Sequence, residues 1–129
     1  MLLALWLMLA WPTRPVPVDL RPSAALAALA WFPLRPPVEA IVYRSLPPED
    51  GGALYDADDA TVYLDPSWPD FWGPDGPEAL LITLEHEFGH ALGLEHSSNP
   101  ASIMHPGWER PWARRPTASD FEAAGLHLD

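Results

Sequence analysis

Apolar and polar positions fall into blocks along the chain, and each block predicts an element. Met1 to Trp11 carries no charged side chain, and Pro12 ends the run. Pro12 to Pro22 holds four prolines and reads as an extended lead-in, with Val16–Leu20 a candidate short edge strand. Ser23 is a candidate N-cap for an Ala- and Leu-rich helix over Ala24–Phe32, stopped by Pro33. Ile41, Val42 and Tyr43 mark a strand within Val38–Arg44. After a turn at Gly51-Gly52, Ala53–Asp56 and Thr61–Asp65 read as a hairpin around Asp58-Asp59. Pro66 to Pro77 is a loop rich in proline, glycine and aromatic residues.

A helical period then begins. Pro77 suits the first helical turn, Glu78 suits the positive end of the dipole, and the helix should reach about Leu92. Leu81, Leu84 and Phe88 form its apolar side. Ser97 to Pro116 is irregular. A last helix starts near Thr117 or Ser119 and runs to about Leu126, with Thr117 and Asp120 approximating a capping box. No internal repeat is visible.

Composition narrows the function classes. The chain has 129 residues, enough for one compact domain, and 48% hydrophobic residues, too many for an acidic disordered tail. Its net charge is −11, all seven basic residues are arginines, and none lies between Ser45 and Glu109. Binding to nucleic acid through its phosphates is therefore disfavoured, and none is expected as a partner, since nothing mid-chain could replace phosphate counterions. There is no cysteine, so disulfides and thiolate zinc sites are ruled out and any metal must rest on histidine and oxygen. Residues 1–11 would span roughly 16 Å as a helix, about half of a bilayer core, so no stable membrane span is expected. They read either as a signal segment, implying a secreted protein, or as a hydrophobic N-terminal segment packed on the domain.

The chemistry concentrates in His86-Glu87-Phe88-Gly89-His90-Ala91-Leu92-Gly93-Leu94-Glu95-His96. Residues four apart on a helix lie about 40° apart around its axis, so His86 and His90 point the same way and can share one ion. His96 would fall on the wrong face of a continuing helix. Gly93 can adopt the left-handed conformation that ends a helix, which lets His96 return as a third ligand. Three neutral imidazoles leave a tetrahedral Zn²⁺ one open position for water. Glu87, about 100° from His86, is badly placed as a ligand and well placed as a general base. A solvated helix with scattered histidines is the alternative, but helix phase and break position agree with metal geometry.

This run resembles the zinc-binding signature of the metzincin metallopeptidases. Phe88, Gly89, Ala91, Leu92, Gly93, Leu94 and Ser97 make it most similar to the matrixin branch. The close likeness covers about residues 60 to 126; Trp31 and Val38–Arg44 agree loosely with the family's first helix and sheet. The resemblance implies an α+β, minimal zincin-like fold: a small twisted sheet over a zinc-binding helix, a Met-turn at Met104 and a C-terminal helix. Residues 12–129 would form a single catalytic domain. It implies a monomeric zinc endopeptidase with one catalytic Zn²⁺ and Glu87 as base. The competing reading is a non-catalytic zinc- or peptide-binding module that retains the fold. Substrate would bind in extended form against an edge strand, here Thr61, Val62, Tyr63 and Leu64. The specificity-pocket wall would come from His105–Pro116, starting with His105 and Pro106 and including Trp108 and Trp112. A weak preference for an apolar residue after the scissile bond follows.

Three departures stand out. His105 replaces the family's usual tyrosine after the methionine, and reads either as a cleft residue or as a structural histidine. The histidines left over, His105 and His127, are too few for a second, structural zinc site. With no cysteine, no cysteine latch is expected within these residues, and the short length is expected to cost part of the N-terminal sheet. Glu49, Asp50, Asp56, Asp58, Asp59, Asp65, Asp70 and Asp75 could suit Ca²⁺, but they match no calcium motif and read better as a solvated acidic face. The arginine-free middle predicts a cleft that disfavours acidic peptides.

Overall fold

The computed structural model describes residues 19–67, 76–106 and 113–126. The 1–11 segment, residues 16–18, the aromatic part of the 66–77 loop, Trp108, Trp112 and His127 lie outside the described residues.

Helix α1 spans Arg21–Ala30, three residues earlier than Ser23 suggested. Its N-cap is Leu20, with no side-chain cap, and Pro22 occupies the first turn, where a missing N–H is harmless. Asp19 accepts the Arg21 backbone N–H at 3.1 Å and its guanidinium at 2.9 Å. Asp19 and Leu20 are not in a strand. Ala27 and Trp31 are fully buried, while Leu26 and Leu29 face outward.

Three short strands follow: β1 (Ala40–Tyr43), β2 (Ala53–Asp56) and β3 (Thr61–Leu64). A 3-10 turn at Pro48–Asp50 ends on Gly51 in the left-handed region. The expected β2–β3 hairpin forms, antiparallel, pairing Ala53 with Leu64 and Asp56 with Thr61. Aspartates fold its turn: Asp56 accepts the Asp58 N–H at 2.9 Å, and Asp59 accepts that of Thr61 at 3.1 Å. β1 pairs with β3 in parallel, so the order is β1-β3-β2. This corrects the strand assignment made from sequence. Thr61, Val62, Tyr63 and Leu64 form the central strand, with both edges paired. Thr61, Val62 and Leu64 are buried, and the Arg44 guanidinium lies 3.6 Å from the centroid of the Tyr63 ring.

Helix α2 spans Gly76–Ala91 and α3 spans Ala118–Ala123. Both end at a glycine. Gly93 (φ 92°) donates to His90 O, and Leu94 donates to Gly89 O. Gly125 (φ 98°) donates to Glu122 O, and Leu126 donates to Phe121 O, so α3 stops short of the expected Leu126. Both are the paired hydrogen bonds of a Schellman motif. The Thr117–Asp120 capping box is present. Helix α1 precedes the strands and packs on α2, which follows them, and this gives the expected α+β arrangement. The core runs from Val62 and Leu64 of the sheet through Leu80, Leu84 and Phe88 of α2 to Ile103 and Met104. Among the described residues, no helix is long and apolar enough to cross a membrane.

Candidate metal centre

Helix phase places His86 and His90 on one side of α2, with ring centroids 4.8 Å apart. The Schellman turn at Gly93 brings back His96, whose ring lies 5.1 Å from His86 and 4.8 Å from His90. Each histidine offers one ligand atom, all within 4.8 Å of one another. Among the described residues, this is the one group of such side chains placed to share an ion.

The hydrogen bonds decide which nitrogens are available. His86 Nδ1 lies 2.8 Å from Ile103 O, and His90 Nδ1 lies 2.8 Å from Leu94 O. A carbonyl only accepts, so each Nδ1 carries the proton and each Nε2 presents its lone pair to the shared space. Burial holds the His86 imidazole down to about 4, with the Ile103 hydrogen bond opposing and the neighbouring histidines adding to the effect. His96 is also lowered, by burial and then by His90 and His105. Neutral imidazoles are the metal-binding form, so this donor set fits a divalent cation that prefers nitrogen.

Beneath the histidines, Met104 is 2% exposed and its carbonyl accepts the Ser97 N–H at 3.0 Å. A Cβ on Gly89 would collide with Met104 Sδ and lie 3.1 Å from Trp31 Cζ2, so glycine is needed where α2 crosses the methionine. Trp31 donates from Nε1 to Glu85 O at 2.8 Å and meets Phe121 edge-on at 5.4 Å. The residue that caps the C-terminus of α1 therefore braces the metal helix, the methionine and α3 together.

Glu87 lies on the cleft side. It is 6% exposed and lines a cavity of about 630 Å³ with the three histidines. Burial pushes its carboxyl up to about 7, while a hydrogen bond from the Tyr55 backbone opposes and Asp50 adds to the rise. Such a group can take up and release a proton near neutrality. Glu85 is also pushed up to about 7 by burial, with Arg115 opposing, but it does not line this cavity.

Ala53, Leu54 and Tyr55 of β2 form one wall of the cavity, and His105, Pro106 and Ala113 contribute to the rest. β3 contributes nothing, and the strand edge beside the metal is that of β2. Strand order in a three-stranded sheet leaves no mark in residue alternation, so the sequence held no signal for this exchange. Glu49 and Asp50 also line the cavity. Of the acids weighed for calcium, Asp56, Asp59 and Asp65 accept backbone N–H groups of their own turns or of Leu46.

Sequence reasoning did not single out Ser102 and Asp120 as site residues. Asp120 is 5% exposed and its carboxylate accepts from Ser102 Oγ (2.5 Å), Ile103 N (3.1 Å), Thr117 N (2.8 Å) and Thr117 Oγ1 (3.0 Å). The capping box was the visible part of this network; its reach back to residues 102–103 has no local signature.

The sequence model of the family Matrixin matches residues 39–124. Mouse matrilysin is 37% identical over 68 residues, which cover 53% of this chain and 25% of that protein. A probable matrix metalloproteinase of invertebrate iridescent virus 3 is 44% identical over 71 residues, 51% of this chain and 19% of the relative. Dog matrix metalloproteinase-9 is 54% identical over 37 residues, 27% of this chain and 5% of the relative. The chain therefore spans a quarter or less of these relatives' lengths. No solved structure is a significant match.

Proposed function

The chain belongs to the matrixin family, and from that premise we propose that it is a zinc-dependent endopeptidase. The single observation that carries this reading is the meeting of three inward-facing imidazoles and one buried carboxylate in the same cavity. His86, His90 and His96 would hold the ion through nitrogen. Bound there, Zn²⁺ supplies a Lewis acid that polarises a carbonyl and acidifies water. Glu87 then has two tasks. It takes a proton from the attacking water as the scissile carbonyl carbon becomes tetrahedral. It delivers that proton to the leaving nitrogen as the C–N bond breaks. Its raised pKa suits both, because the same group must accept and donate at one pH.

The substrate is a polypeptide in extended form, lying along the outer edge of β2, where Ala53, Leu54 and Tyr55 border the cavity. His105 and Pro106 also line the cavity. With Glu49 and Asp50 on the rim and no arginine from 45 to 109, the cleft disfavours acidic peptides. The uncharged apolar residues 1–11 fit export, so the proposed place of action is extracellular.

Zinc content and cleavage of unfolded casein, measured on one preparation, test this reading. One zinc per chain, with cleavage lost to a chelator and restored by zinc, is the expected result. Zinc without cleavage would identify a binding module instead.

A further inference from the structure

We propose that Asp120 is a positioning residue for the metal, acting on His86 through Ser102 and the Ile103–Met104 peptide. This inference rests on the metal reading above and extends it to residues outside the ligand set.

The chain of contacts is continuous and its polarity is fixed at each link. Met104 N–H donates to Ser102 Oγ at 3.0 Å. That oxygen's own proton is thereby free to go to Asp120 Oδ1, 2.5 Å away. On the far side of the same peptide unit, Ile103 O accepts from His86 Nδ1 at 2.8 Å. Asp120 also holds the Ile103 N–H directly, at 3.1 Å. Every donor around Asp120 points inward, so it sits as an anionic end: carboxylate, hydroxyl, peptide, imidazole, metal.

The physical consequence has one direction. An anion behind the serine makes its oxygen a stronger acceptor for the Met104 N–H. Polarising that N–H places more negative charge on the carbonyl oxygen of the same peptide. A more negative carbonyl draws harder on His86 Nδ1–H and makes Nε2 a better donor to a cation. Ser102, Ile103 and Asp120 are 6%, 2% and 5% exposed, so water screens little of this. His90 provides an internal contrast, since its Nδ1 goes to the carbonyl of Leu94, the residue directly after Gly93. Asp120 also caps α3: Thr117 engages Oδ2, which also takes the Ile103 N–H, whereas Oδ1 takes the Ser102 hydroxyl.

The test uses the full chain in four forms: wild type, Ser102→Ala, Asp120→Asn and Thr117→Ala. Zinc affinity is measured by competition with a chromophoric chelator, and the visible spectrum is recorded with Co²⁺ in place of zinc. The expected result is a 10-fold or greater loss of zinc affinity in Ser102→Ala and Asp120→Asn, with altered Co²⁺ bands. Thr117→Ala, which breaks the cap and leaves the serine link, should lower the thermal midpoint yet keep zinc affinity within about two-fold. If Asp120→Asn does not fold, Ser102→Ala, which only removes an oxygen, carries the test. Unchanged affinity and spectrum in Ser102→Ala, or an equal affinity loss in Thr117→Ala, would overturn the relay while leaving the metal site standing. A wild-type chain without zinc affinity would overturn both.

Discussion

The floor of the metal site and its rim hold their ligands differently. On the floor, His86 has a fixed tautomer, Met104 is sealed beneath Gly89 and Trp31, and Ser102 and Asp120 are hydrogen-bonded and buried. On the rim, His96 is exposed and is delivered by a chain reversal at Gly93. The neighbouring wall is a four-residue edge strand. On the proposed function, the floor would fix where an ion sits and the rim would supply the side from which a peptide approaches.

Removing a floor contact should have the largest effect. Trp31→Ala empties a fully buried volume and breaks the bond to Glu85 O, so a loss of about 3–5 kcal/mol is expected. That is a large share of the roughly 5–15 kcal/mol typical of a domain. Leu29→Ala, on the same helix but 66% exposed, should stay within about 0.5 kcal/mol. Urea unfolding of both variants compares them directly, and similar losses would remove the distinction between floor and surface.

A rim substitution should act on the metal more than on the fold. Gly93→Ala places a side chain at φ 92°, at a cost of about 1–2 kcal/mol, with open space around the added Cβ. The strain falls on the turn that returns His96, so zinc affinity should drop while α2 keeps its helicity, as read by circular dichroism. Full affinity in this variant would show that the turn does not position His96.

A third effect concerns pH. Glu85 is pushed from an ordinary 4.5 up to about 7, chiefly by burial. Between those values the folded chain holds a proton that the unfolded chain releases. Its contribution is therefore fully present below 4.5 and declines as pH rises through about 7. Glu85→Gln cannot ionise, so its stability relative to wild type should improve from pH 4.5 to pH 8. Chemical unfolding at the two pH values measures this, and a variant whose stability relative to wild type stays constant or falls with rising pH would contradict it.

Local signals were the legible ones. The spacing of His86 and His90, the glycine at 93 and the capping pair Thr117–Asp120 each encode geometry within a turn or two, and all three appear as read. The α+β class followed from the resemblance carried by the His86–Ser97 run. The start of α1 was misplaced because Ser23 is a good cap in isolation, whereas Pro22 is already in the first turn. Long-range choices were not legible. Nothing in Thr61–Leu64 shows that β1 will pair on its far side and leave β2 as the edge. Nothing around Asp120 shows that its carboxylate will reach back to residues 102 and 103.

The floor and the rim meet at Glu87, buried like the first and facing the cleft like the second. The most direct measurement is therefore zinc content and casein cleavage in Glu87→Gln beside wild type. The account predicts one zinc per chain in both and a loss of cleavage of at least about 100-fold in the variant. Wild-type cleavage by a zinc-loaded Glu87→Gln chain would contradict it.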